Sequence, residues 1–183
     1  MWYQGVLDRN LVPDWLIRRA IRSRCAERLR VERERFDRPT FVAELKTLPV
    51  ALHTDLANEQ HYEVPPSFFA EVLGPRRKYS CALFPEGGND LAAAEERMLE
   101  LTGERAGLAD GQRILDLGCG WGSFSLWAAA RYPASRITAV SNSRDQGAFI
   151  RGEAERLGLD NLEVMTADVN DFSTEDTFDR IVS

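Results

Sequence analysis

The 183 residues predict an α/β fold in which a parallel sheet is flanked by helices and preceded by a helical extension. Two observations carry that expectation. Short apolar runs recur at 113–117, 136–140 and 162–165, and stretches with helical period separate them, which is the pattern of strands alternating with crossover helices. The first run leads into Gly118, Gly120 and Gly122, spaced two residues apart, and then into Ser123-Phe124-Ser125-Leu126-Trp127, so a tight glycine turn joins a strand to a helix. Where strands and helices alternate in this way, a ligand belongs at the carboxyl ends of the strands.

Taken in order, Pro13-Asp14-Trp15 opens a helix whose apolar positions Leu16, Ile17, Ala20, Ile21, Cys25 and Leu29 recur every three to four residues. Residues 14–38 hold nine Arg against five acids. Two readings follow: a surface helix attracted to anionic lipid through residues 14–38, or an amphipathic helix packed on the domain with a solvated charged face, which is preferred. Residues 37–59 give a connection and a second helix, punctuated by Pro39 and Pro49, with His53 on the surface. From Gln60 an irregular segment enters a short helix that stops at Gly74-Pro75 and packs Phe68 and Phe69 into a core.

The spacing predicts a helix over Asn89–Gly107 with Leu91, Ala94, Met98, Leu101 and Ala106 on one side and Glu95, Glu96 and Glu100 on the other. A strand follows after Gly111, with Ile114 and Leu115 leading into Asp116, then a helix over 123–131, a strand over 136–141, and a helix that starts within 141–146 and runs to Gly158. A third strand begins at Leu162 and a fourth at Phe178. The expected division is a helical extension over 1–59, a second helical stretch over 60–110, which the family resemblance described below makes a lid and cap, and a parallel sheet over 111–183, which the same resemblance makes incomplete.

Composition narrows the function. A hydrophobic content of 44% with nine Phe and four Trp suffices for a packed core, and a net charge of −6 argues against a nucleic-acid partner, which needs a clustered basic surface. Lys occurs only at 46 and 78, a bias toward Arg read as genome composition. Cys25, Cys81 and Cys119 form no C-x-x-C pair, so neither a disulfide framework nor a metal site is expected, and a reducing cytoplasmic compartment fits. The start, MWYQGVLDRN, resembles no secretory leader, and no run reaches the ~18 apolar residues of a membrane span.

The glycine turn lets a ligand lie against the main chain. Dinucleotide enzymes use G-x-G-x-x-G followed by an acid for the ribose. Here the third glycine comes one residue early, Trp121 occupies the helix start, and the next strand ends in Ser141-Asn142 in place of Asp or Glu. A nucleoside without a pyrophosphate fits better than a nicotinamide or flavin, and a dinucleotide-dependent oxidoreductase ranks last.

Asp116-Leu117-Gly118-Cys119-Gly120-Trp121-Gly122, with Tyr79-Ser80-Cys81-Ala82-Leu83-Phe84 and Gln60-His61-Tyr62-Glu63 before it, resembles the cyclopropane-fatty-acid synthase family of S-adenosylmethionine-dependent methyltransferases. Within it, Lys78-Tyr79-Ser80-Cys81, Met98-Leu99-Glu100 and Ser141-Asn142-Ser143-Arg144-Asp145-Gln146 are most similar to the coclaurine N-methyltransferase branch. The resemblance covers Gln60 to Ser183. It implies a Rossmann-like class I methyltransferase fold that stops in the fourth of seven strands. It also implies S-adenosyl-L-methionine as cofactor, held by Tyr79, Ser80, Asp116, Gly118, Cys119, Gly120, Ser141, Asn142, Gln146, Asp168 and Val169.

In that reading Tyr79 and Ser80 contact the methionyl end, Gln146 with Ser141 and Asn142 replaces the usual ribose acid, and Asp168 and Val169 meet the adenine. Asp168 as a helix cap is the alternative. His61, Tyr62 and Cys81 face the acceptor, with Cys81 near the methyl-transfer point. The Glu and His that handle the acceptor in the family fall beyond residue 183, so the resemblance implies the cofactor-binding half of a longer protein, inactive alone. The expected reaction moves a methyl group to a small amine or similar nucleophile. The alternatives are cyclopropane formation on unsaturated lipid and a non-catalytic cofactor-binding module.

Overall fold

The computed structural model describes Gly5, Arg9, residues 11–52 and residues 66–183, in two compact units, Met1–Leu48 and Pro49–Ser183. The first unit holds α1 (Asp14–Arg35) and α2 (Arg38–Leu45), the latter capped by the Asp37 carboxylate, which accepts the Thr40 N–H at 3.1 Å. Neither helix buries a residue. The expected apolar stripe on α1 is therefore not buried: Trp15, Leu16, Ile21 and Leu29 are all exposed. The physical reason lies in the sequence, because Arg24 and Arg28 sit seven residues beyond Ile17 and Ile21, on the same helical face. Exposed pairs such as Arg30 with Glu27 and Glu34 are screened by solvent and add little to stability.

The second unit contains α3 (Pro66–Val72), α4 (Leu91–Ala106), β1 (Arg113–Leu117), α5 (Ser123–Arg131), β2 (Arg136–Ser141), α6 (Arg144–Leu157), β3 (Leu162–Thr166) and β4 (Arg180–Val182). The strands are all parallel, in the order β3-β2-β1-β4. Asp116 of β1 is level with Ala139 of β2 and Val182 of β4. Because β1 to β2 and β2 to β3 step the same way, their right-handed crossovers put α5 and α6 on one face of the sheet. Leu99, Ile114, Phe124, Trp127, Ala128 and Ile137 form the main core there, and Cys119, Ala139 and Ile150 a second cluster.

Element types agree with the sequence; in this second unit two expected burials do not. On α4 the buried residues are Ala94, Glu95, Leu99 and Gly103, whereas Leu91 is exposed and Glu95, expected outside, is 1% exposed. Phe69 is buried as expected, but Phe68 is half exposed, its ring edge-on to Phe69 at 5.5 Å. Residues 53–65, including His53, His61 and Tyr62, lie outside the described residues. Among those described, no helix is long and apolar enough to cross a membrane, and no cluster of His, Cys, Asp or Glu could hold a metal ion.

Candidate functional site

Two cavities open at the carboxyl end of β1, and Gly118 and Gly120 line both. The smaller, about 160 Å³, is bounded by Leu117, Val140, Ser141, Gln146, Ala167 and Val169, with Asn142 at its margin. The larger, about 450 Å³, is bounded by Lys78, Tyr79, Ser80, Cys81, Asp116 and Cys119, among others.

The three glycines have different tasks. Gly118 and Gly120 have φ of 84° and 54°, and a Cβ added to either would meet no atom within 4 Å, so their missing side chains leave open the space beside the two residues that both cavities share. At Gly122, φ is 76° and a Cβ would lie 2.6 Å from Ile150 Cγ1; this glycine serves packing of α5 on α6. The N–H groups of Gly118 and Cys119 both donate to the Val140 carbonyl at 2.9 Å. What those residues present to a ligand is therefore close main-chain surface.

At the smaller cavity, the Ser143 hydroxyl caps α6 by accepting the Gln146 N–H at 3.3 Å, which turns the Gln146 side chain back toward β2. There Ser141 Oγ donates to Gln146 Oε1 at 2.7 Å and accepts the Ser143 N–H at 3.1 Å. Gln146 is 2% exposed, and its Nε2 has no partner among the described residues. A buried amide donor without a partner, on a residue that lines a cavity, is a group that a ligand acceptor could satisfy. Val169 joins this lining, but Asp168 does not. Its carboxylate accepts the Asn170 N–H at 2.8 Å and so caps a turn, while the Asn170 side chain exchanges two 3.0 Å hydrogen bonds with the Ala51 backbone. That is close to the capping role weighed from the sequence, though no helix follows.

At the larger cavity, Asp116 is the central charge. Its carboxylate accepts a short hydrogen bond from Ser125 Oγ, and burial pushes its pKa up to about 6, opposed by the Ser125 hydrogen bond and by the Lys78 ammonium. Burial, helped by Asp116, also pushes the Cys119 thiol up to about 12, which leaves it a packing residue. Cys81 is exposed at the cavity edge, and Tyr79, half exposed, stands edge-on to Phe69 at 5.5 Å. Sequence reasoning missed three contributors. Lys78 Nζ donates to Ser80 Oγ at 2.5 Å. Trp121, clasped by Phe69 and Phe149, and Ser123 bring two buried donors, Trp121 Nε1 and Ser123 Oγ, that have no partner among the described residues. The sequence does carry a signal for Lys78: it is one of two lysines in a chain that otherwise uses Arg.

A parallel sheet ordered β3-β2-β1-β4, with a glycine turn after its central strand and a polar side chain after the next, has the Rossmann-like fold of class I methyltransferases. Residues 52–183 match the family model for mycolic acid cyclopropane synthetase, and the chain belongs to that family. It is 37% identical over 182 residues to (S)-coclaurine N-methyltransferase of Thalictrum flavum subsp. glaucum, covering 96% of this chain and 50% of that protein. It is 34% identical over 128 residues to cyclopropane-fatty-acyl-phospholipid synthase of Escherichia coli (strain K12), covering 70% and 32%. Among solved structures, coclaurine N-methyltransferase bound to N-methylheliamine and SAH superposes with a TM-score of 0.89 at 36% identity, over 97% of this chain and 53% of that one. The chain thus spans about half the length of the curated relatives it matches.

Proposed function

We propose that the protein is an S-adenosylmethionine-dependent methyltransferase whose acceptor is a small amine or similar nucleophile. The observation that supports it most is the pair of cavities that share Gly118 and Gly120 as lining, one suited to a nucleoside and the other to a charged amino-acid end. The residues fit that cofactor. Gln146 Nε2, a buried donor without a partner, suits a ribose oxygen, and Leu117, Val140 and Val169 give the apolar walls an adenine requires. Lys78, Ser80, Trp121 Nε1 and Ser123 Oγ suit a carboxylate, while Asp116 suits an ammonium.

S-adenosylmethionine supplies, when bound, a methyl group already activated by its sulfonium. The chain's task is then placement. Gly118 and Gly120 let the ligand cross the main chain, Ser141 and Gln146 fix one end, and the Lys78–Ser80 pair fixes the other, so the acceptor meets the methyl carbon along one line. With Asp116 held against Ser125 on β1 and α5, its charge lies at a fixed place and is not free to follow the reacting centre. Cys81 stands at the exposed margin, where acceptor chemistry is expected.

The amine reading draws on the relatives named as N-methyltransferases, including one acting on (S)-tetrahydroprotoberberine in Eschscholzia californica at 39% identity. A lipid acceptor draws on the family model and the bacterial synthase. Free thiols at Cys25, Cys81 and Cys119 support a reducing, cytoplasmic setting. Full-length protein assayed with methyl-labelled cofactor, an amine panel and phospholipid vesicles should place label in amine. Label in lipid alone would replace the amine reading, and binding without transfer would leave a cofactor-binding module.

A further inference from the structure

The segment between α3 and the Tyr79-Ser80-Cys81 wall is an irregular turn, closed by Arg77 N–H donating to the Gly74 carbonyl at 2.9 Å. Arg77 has a φ of 49°, the one positive φ outside glycine among the described residues, and its guanidinium lies 4.1 Å from the centre of the Phe149 ring. A long side chain in the left-handed region persists only where the surroundings hold it. What holds it comes from α4. The N–H groups on either side of Arg77 converge on one buried carboxylate: Arg76 N donates to Glu95 Oε2 at 2.9 Å, and Lys78 N donates to Glu95 Oε1 at 3.1 Å.

Glu95 is 1% exposed and does not line either cavity. Gly74 packs on it so closely that an added Cβ would lie 2.6 Å from Glu95 Cδ. The next residue of α4, Glu96, binds Arg76 Nε at 2.9 Å and Trp127 Nε1 at 2.7 Å, which tethers the side chain of the same turn. A carboxylate accepting two backbone N–H groups is a strong, directional anchor. Beyond the anchor, the chain delivers Lys78, Tyr79 and Ser80 to the cavity wall.

We propose that Glu95 is a positioning residue: by gripping the Arg76 and Lys78 amides from beneath, it sets the left-handed turn that aims Lys78, Tyr79 and Ser80 at the methionyl end of the cofactor. This rests on the reading of the larger cavity given above. Glu95 acts on one end of the ligand only, which separates its role from general support of the fold.

The test uses calorimetric titration of the full chain with S-adenosylhomocysteine and with adenosine, which lacks the methionyl end. Glu95→Gln, which keeps one acceptor, and Gly74→Ala, which keeps every hydrogen-bonding group but drives a methyl into the carboxylate, should each weaken S-adenosylhomocysteine about tenfold or more and leave adenosine within about twofold. Hydrogen exchange at the Arg76 and Lys78 amides should accelerate in both. Lys78→Met should cost less than about twofold more in the Glu95→Gln background, since the two residues act on the same contact. Equal weakening of both ligands, or unchanged S-adenosylhomocysteine binding in a folded variant, would overturn the proposal while the cofactor assignment stands. No binding by the unaltered protein would overturn both. If Glu95→Gln does not fold, Gly74→Ala carries the same comparison.

Discussion

The two sides of the glycine turn are held in place by different means. The smaller cavity is built mainly from the ends of β1, β2 and β3 and the first turn of α6, with Ala51 added to the lining by the Asn170 side chain, so most of its wall is fixed by the sheet and by the Ser141, Ser143 and Gln146 hydrogen bonds. The larger cavity shares only the end of β1 and the glycine turn, with Val182 of β4 beside them, and another of its walls is an irregular, largely exposed segment held from below by Glu95 and Glu96 of α4. The difference shows where each half obtains its geometry: mostly local backbone order for the first, a long-range anchor beneath an irregular segment for the second. Changes at the sheet should register chiefly as stability, and changes at the irregular segment as ligand affinity.

The largest effect should come from the glycine that belongs wholly to packing. Gly122→Ala forces a methyl to 2.6 Å of Ile150 Cγ1 at a left-handed position, where overpacking and backbone strain together cost about 3–4 kcal/mol in denaturant unfolding. Gly118→Ala meets no atom within 4 Å, so it should cost only the left-handed strain of about 1–2 kcal/mol yet weaken S-adenosylhomocysteine about tenfold or more. Equal losses of stability in the two variants would break the division between packing and ligand glycines.

Asp116 should contribute the next effect. Its folded pKa is raised from 3.8 to about 6, so the folded state binds a proton more readily than the unfolded chain. The associated stability is full below pH ~4 and is lost as pH rises through ~6, a change of about 3 kcal/mol for this group. Asp116→Asn should therefore gain stability at pH 7.5 relative to the parent, gain little at pH 4, and bind the cofactor poorly. Thermal melts of both proteins across pH 4–8 check this, and parallel curves would show that Asp116 is not strained by its burial.

Much of this architecture is legible in the amino-acid sequence. The strand–glycine turn–helix around Asp116 and the αL-capped end of α6 at Gly158 follow from local rules, because the residues that set those torsions are the residues that occupy them. Ser141 and Gln146 are legible for the same reason, being five residues apart across one helix start. Glu95 is not. Helical periodicity assigns it to solvent with Glu96 and Glu100, because its partners, the Arg76 and Lys78 amides, are 19 and 17 residues away and carry no mark in the sequence. The buried donors of Trp121 and Ser123 are hidden likewise, since their orientation depends on Phe69 and Phe149 packing around the indole. Asp168 is half legible: its capping habit is, and the Asn170–Ala51 clasp next to it is not.

Smaller effects sharpen the same contrast. Gln146→Met, close in volume, removes the unpartnered Nε2 donor and the acceptor of Ser141 Oγ. It should weaken both adenosine and S-adenosylhomocysteine by about 1–2 kcal/mol, whereas Lys78→Met should weaken only the second. At the least perturbing end, iodoacetamide at pH 8 should modify Cys25 and Cys81, which are exposed, and leave Cys119 unmodified until unfolding, as its buried thiol and raised pKa require. Rapid modification of all three would mean that the second core cluster opens readily.

The most direct test of the central claim, that the two cavities sharing Gly118 and Gly120 form one cofactor site, is a calorimetric titration of the protein with S-adenosylhomocysteine, repeated with Gly118→Val. The account predicts one site per chain in the parent and none in a Gly118→Val variant that still folds, because the added side chain fills the space beside the shared glycines. Absence of binding in the folded parent, or binding that survives Gly118→Val unchanged, would contradict it.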